Sequence, residues 1–106
     1  MDKSITIVVP ILAKPECREI VKARLLKLAT QTRREKGNVF YVLHEATDDS
    51  SRFVIYERWA DGAALDLHMN KEYLKRFLTD SAAWLREPIA GIPCREIKAG
   101  QRDLQT

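Results

Sequence analysis

The chain is poor in the residues that build metal centres and covalent frameworks. Cys17 and Cys94 are its only cysteines, they lie far apart, and only two histidines accompany them. This is neither a zinc-ligand spacing nor a disulfide framework, so two reduced thiols are expected. The four glycines, Gly37, Gly62, Gly91 and Gly100, stand alone. Without a Gly-rich loop to cradle phosphate, a nucleotide cofactor is not expected. No serine has the G-x-S-x-G context and no histidine pair has metal-binding spacing, which sets aside the common hydrolase and zinc chemistries. Long apolar runs are missing too. The longest, Ile5 to Ala13, is broken by Thr6 and Pro10 and falls short of the roughly 20 residues that span a bilayer. Met1-Asp2-Lys3 runs directly into it without a charged leader or cleavage site, so the expected compartment is the cytoplasm, with no membrane partner. Charge of one sign is in small excess, +3 overall. Residues 14–36 carry eight Lys/Arg against three Glu, but no aromatic residue interleaves with them as base stacking requires. The stretch reads as a solvated helix face, and no nucleic-acid partner is expected.

With 106 residues, 45% hydrophobic and 31% charged, the chain has the composition of one ordinary globular domain. A chain of this length buries about 65% of its unfolded surface, so a core forms without staples. The expected domain is 1–97, with 98–106 as a loose tail or an arm laid on a partner. Ile5-Thr6-Ile7-Val8-Val9 is β-branched throughout and predicts a strand running to Ala13, with Pro10 at a bulge or an edge. From Pro15, the spacing of Cys17, Val21, Leu25, Leu28 and Thr32 predicts a helix that Gly37 ends. Val39 to Glu45 and Arg52 to Ala60 flank the turn formers Thr47-Asp48-Asp49-Ser50-Ser51, as in an antiparallel hairpin. Asp61 is placed to cap the next helix, on which Leu65, His68 and Met69 share a face. A further helical stripe covers Lys71 to Arg86 and stops before Pro88, and Ile89 to Ile97 is a weaker last strand.

This order, β-α-β-β-α-β, is the α+β ferredoxin-like arrangement: a four-stranded antiparallel sheet with its helices on one face. The second and third strands are apolar on both faces, so a lone copy exposes a broad apolar sheet, and a homodimer packed through its sheets is expected.

Several short motifs remain. Thr32-Arg33-Arg34-Glu35-Lys36-Gly37 leads into the strand that holds Tyr41. Glu57-Arg58-Trp59 ends a strand, and Ala64-Leu65-Asp66-Leu67-His68 is followed by Tyr73-Leu74-Lys75. In this order and spacing they resemble the antibiotic biosynthesis monooxygenase family, over most of residues 5–97. The resemblance implies a dimeric α+β barrel, no metal or cofactor, and oxidation of a quinol or polycyclic phenol by O2. Such chemistry needs a base, an oxyanion donor and a dry pocket.

His68 has the intrinsic pKa of a base and matches the family's histidine, while Arg33, Tyr41, Trp59 and Tyr73 could donate to an oxyanion. Phe40, Phe53, Met69 and Phe77 could wall a flat ring. Beside these stand plainer readings. Trp59 anchors a core, Glu57 and Arg58 form an exposed pair or a dimer salt bridge, Arg33 and Glu35 form a helix-end charge cluster, and His44 is structural. Two rivals share the fold: a cofactor-free isomerase of a small phosphorylated or hydroxylated metabolite, and a non-catalytic dimeric ligand-binding module. Haem chemistry is not expected, because the axial histidine of related haem-degrading barrels falls near Leu78. Pocket polarity separates the rest: converging cations suit a phosphorylated ligand, an apolar cavity with one or two donors suits a quinol, and a filled core suits neither.

Overall fold

The computed structural model describes residues 2–98. The elements run β1 (Ile5–Leu12), a 3₁₀ turn (Pro15–Cys17), α1 (Arg18–Arg33), β2 (Asn38–Glu45), β3 (Arg52–Trp59), α2 (Gly62–Met69), α3 (Glu72–Ser81) and β4 (Ile92–Cys94). The strands form one antiparallel sheet in the order β2-β3-β1-β4, which is the ferredoxin-like topology expected from the sequence. The expected tail, apart from Lys98, lies outside the described residues. No helix among those described is long and apolar enough to cross a membrane.

Strand alternation decides which side chains meet the helices. Ile7, Val9 and Ile11 of β1, Tyr41 of β2, and Phe53, Ile55, Glu57 and Trp59 of β3 are all buried. Against them α1 lays Val21, Leu25, Leu28, Ala29 and Thr32, the stripe read from the sequence with Ala29 added. Cys17 falls in the 3₁₀ turn ahead of α1 and is only half-buried. The opposite sheet face carries Phe40, Val42, Tyr56 and Arg58. Phe40 and Tyr56 pack with ring centroids 5.0 Å apart, and the Arg58 guanidinium lies over the Phe40 ring.

Two elements are shorter than the sequence suggests. The stripe expected to Arg86 stops as a helix at Ser81, because the following residues pair with the end of β1. Lys14 N–H donates to the Trp84 carbonyl and Arg86 N–H to the Leu12 carbonyl, each at 2.8 Å, and Ala13 and Leu85 form a β-bridge. Leu85 is thus buried by tertiary pairing rather than by helical phase. β4 holds three residues instead of the expected Ile89–Ile97, and it reaches only Thr6–Val8 of β1. Pro93 cannot donate to a ladder, which suits it to a short edge strand. Beyond β4's reach, Pro10 pairs on one side only, with Val54, and β1 continues past it without a bulge.

Gly37 sets the approach of α2. A Cβ built there would stand 2.2 Å from the Ala64 Cβ, so only glycine lets the loop after α1 touch the first turn of α2. Ala60 N–H donates to the Gly37 carbonyl at 2.9 Å, and Asp61 caps α2 by accepting from Ala64 N–H, as the sequence suggests.

Candidate active site

Between the sheet and the helices lies a cavity of about 340 Å³. Its floor comes from β1, β2 and β3 and its walls from Leu28 of α1, α2 and α3, while Ile89, Gly91 and Pro93 form one side. The exposed lining residues Met69, Leu78, Gly91 and Pro93 mark where it opens. Among the described residues, only Tyr41, Glu57 and His68 bring polar side chains to the lining, and no lysine or arginine lines it.

His68 is the one buried residue of α2. It is held from two sides. Its Nδ1 lies 2.7 Å from Glu35 Oε2, in a pair whose side chains are 4% and 9% exposed. Its ring packs on Trp59 with centroids 4.5 Å apart. An ionised carboxylate only accepts, so Nδ1–H is the donor in this pair, and in the neutral imidazole Nε2 then keeps its lone pair. Nε2 makes no hydrogen bond to any described residue. The arrangement of carboxylate, imidazole and free nitrogen is that of an oriented general base.

The surrounding donors are occupied. The Tyr73 hydroxyl donates to the same Glu35 oxygen and sits beside Thr32. Burial, then that bond to Glu35, pushes its pKa up to about 12. Trp59 Nε1–H donates to Glu57 Oε1 at 2.7 Å. Arg33 Nε–H donates to the Tyr41 backbone carbonyl at 2.8 Å, which turns its guanidinium away from the cavity. Tyr41 is the phenol on the cavity wall. Burial and the neighbouring Glu57 raise its pKa, so it stays protonated and able to donate. Burial likewise raises the Glu57 carboxyl, against the Trp59 hydrogen bond and the attraction of His68.

The residues singled out from the sequence therefore divide into three groups. His68, Tyr41, Met69 and Phe77 line the cavity, while Trp59 and Tyr73 stand behind it as supports. Arg33, Phe40 and Phe53 do not line it. Phe40 falls on the outer sheet face by alternation, paired with Arg58, and Phe53 is sealed in the core at the hairpin end of β3. Two carboxylates were misjudged from sequence. Glu57 is 6% exposed rather than a surface partner of Arg58, and Glu35 binds His68 rather than joining a charge cluster with Arg33. For Glu57 a signal existed: it alternates with Phe53, Ile55 and Trp59, so burial of the tryptophan buries it too. For Glu35 there was none, since its partner lies 33 residues away.

Residues 4–80 match the family model described as antibiotic biosynthesis monooxygenase. YcnE from Bacillus subtilis (strain 168) is 32% identical over 76 residues, spanning 72% of this chain and 80% of that one. Among solved structures, PA3566 from Pseudomonas aeruginosa superposes with a TM-score of 0.85 at 31% identity, covering 92% of this chain and 98% of that one. A structure described as an antibiotic biosynthesis monooxygenase gives a TM-score of 0.83 at 28% identity, covering 89% and 99%.

Proposed function

The chain belongs to the antibiotic biosynthesis monooxygenase family, and on that footing we propose that it oxidises a quinol or polycyclic phenol with O2 through a substrate anion held at His68. The observation that carries this reading is His68, backed by Glu35 and with Nε2 left free, on a largely apolar cavity whose other polar side chains, among the described residues, are Tyr41 and Glu57. That no lysine or arginine among the described residues lines the cavity disfavours the phosphorylated-ligand alternative.

Ground-state O2 reacts slowly with closed-shell molecules, whereas a phenolate gives up an electron readily. His68 Nε2 takes the phenolic proton, and the imidazolium, paired with Glu35, stays beside the new anion. The Tyr41 hydroxyl donates to the phenolate oxygen, and the apolar walls keep water out. One electron passes to O2, and superoxide and the substrate radical join at a ring carbon to form a peroxide. The O–O bond then breaks: that carbon loses its hydrogen as a proton and keeps one oxygen as a carbonyl. The other oxygen leaves as water, taking the proton released from that carbon and the one returned by His68. Quinol and O2 become hydroxyquinone and water, with every electron supplied by the substrate, so no metal or redox cofactor is needed. We place the working unit as a homodimer joined through the outer sheet face.

Oxygen uptake against a panel of quinols and anthrone-like phenols, with and without a chelator, tests the reading. Chelator-insensitive uptake with at least one of them is expected. Tight binding with no uptake across the panel leaves a ligand-binding module instead.

A further inference from the structure

Glu57 is a costly residue to bury for the sake of one hydrogen bond. It is 6% exposed, yet only Oε1 has a partner, the Trp59 indole N–H; Oε2 makes no hydrogen bond to any described residue. It stands on the cavity wall, directly across the sheet from Tyr41 on one side and Ile7 on the other. A second carboxylate, Glu35, lies behind His68. The nearby cations do not offset them: Arg33 is turned to the Tyr41 carbonyl, and Arg58 lies on the outer face with Thr6, Phe40 and Glu96.

We propose that Glu57 selects the ligand: Oε2 accepts a hydrogen bond from a hydroxyl of a neutral ring, and the carboxylate turns away rings that bear a carboxylate, sulfonate or phosphate. The inference rests on the functional reading above and adds its specificity-determining residue. A buried anion without a counter-ion is unfavourable, and among the described residues no lysine or arginine lines the cavity. The anion formed in turnover differs, because it arises beside the imidazolium that has just taken its proton. A ligand that arrives already charged has no such partner. Unpaired charge against an unwanted ligand is a common means of discrimination. At about 340 Å³ the cavity is near the small end of ligand pockets, roughly 300–1,000 Å³, and so suits a small fused-ring system.

Calorimetric titration with 2-naphthol and 2-naphthoate at neutral pH, without turnover, tests this. The wild-type protein is expected to bind 2-naphthol roughly tenfold or more tightly over 2-naphthoate. In Glu57→Gln, which keeps an oxygen for Trp59, the gap should close to within about threefold, chiefly because 2-naphthoate binds better. Were Glu57→Gln to misfold, the double change Glu57→Leu with Trp59→Phe removes both hydrogen-bond partners together and should close the gap likewise. Equal binding of the two ligands by wild type, binding of neither, or an unchanged gap in the folded variant overturns the proposal. A role confined to holding Trp59 would not move the ligand-charge preference. Oxygen uptake separates the two readings: a preference lost in Glu57→Gln without quinol oxidation removes the oxygenase alone, whereas oxidation with an unchanged preference removes the selectivity role alone.

Discussion

At the scale of single residues, the proposed mechanism gives two buried ionisable groups, His68 and Glu57, different tasks. If His68 is the base, His68→Ala should lower turnover by about 10²- to 10⁴-fold, the usual contribution of a positioned base, with a smaller effect on KM. A variant that melts early while keeping its activity per folded molecule would make His68 a packing residue beneath Trp59. Glu57 gives a separate test in stability. Its carboxyl titrates above the unfolded value of 4.5 because burial penalises the charge. The fold therefore favours the protonated form, a stabilising contribution complete below 4.5 and lost as pH rises through the folded value. Glu57→Gln removes that loss, so its melting temperature relative to wild type should climb as pH rises above 4.5. Parallel curves for the two proteins would show Glu57 to be ordinarily solvated. The sequence made His68 legible through its helical phase with Leu65, and left Glu35 hidden because the pairing depends on how two distant elements meet.

At the scale of elements, the extents of β1, α1, β2 and β3 were readable from period-two and period-3.6 patterns, but the inward face of β2 was not, because both its faces are apolar and only Tyr41 is buried. The end of α3 and the brevity of β4 were not readable either. There the chain follows backbone pairing with β1, a long-range contact that local pattern does not encode. The same kind of contact fixes α2. Because Gly37 admits the Ala64 methyl, Gly37→Ala must push the loop and the helix apart, and overpacking of this sort costs about 1–3 kcal/mol. Activity should fall further than stability, as α2 carries His68 away from Glu35. The paired change Ala64→Gly reopens the space at a helix-propensity cost of about 1 kcal/mol or less. Activity of the double variant should therefore recover towards wild type, although each single change is harmful. Additive losses in the double variant would mean that the Gly37–Ala64 approach does not position the histidine.

At the scale of the whole molecule, the sheet has two faces and the helices cover one. The uncovered face presents Val42 and Tyr56, 38% and 40% exposed, beside the packed Phe40 and the half-buried Val8, Pro10, Leu12 and Val54. A largely apolar surface in this position, with Arg58 among its few charged side chains, suits the interface proposed above. The same strands supply the cavity: Tyr41 and Glu57 point inward while their neighbours Val42, Tyr56 and Arg58 point outward, so a second copy on the outer face would stiffen the floor of the site. Light scattering at micromolar concentration should therefore return about twice the chain mass of 12.2 kDa, since a sheet interface of standard size, about 1,200–2,000 Å², persists at such concentrations. Tyr56→Arg with Val42→Arg places like charges on the centre of that face and should yield a monomer whose far-UV circular dichroism is unchanged. Quinol-dependent oxygen uptake by that monomer should drop, mainly through KM, because Glu57 and Tyr41 lose the backing that fixes them. A wild-type mass near 12.2 kDa would remove the dimer, and a monomeric variant with full activity would uncouple the outer face from the cavity.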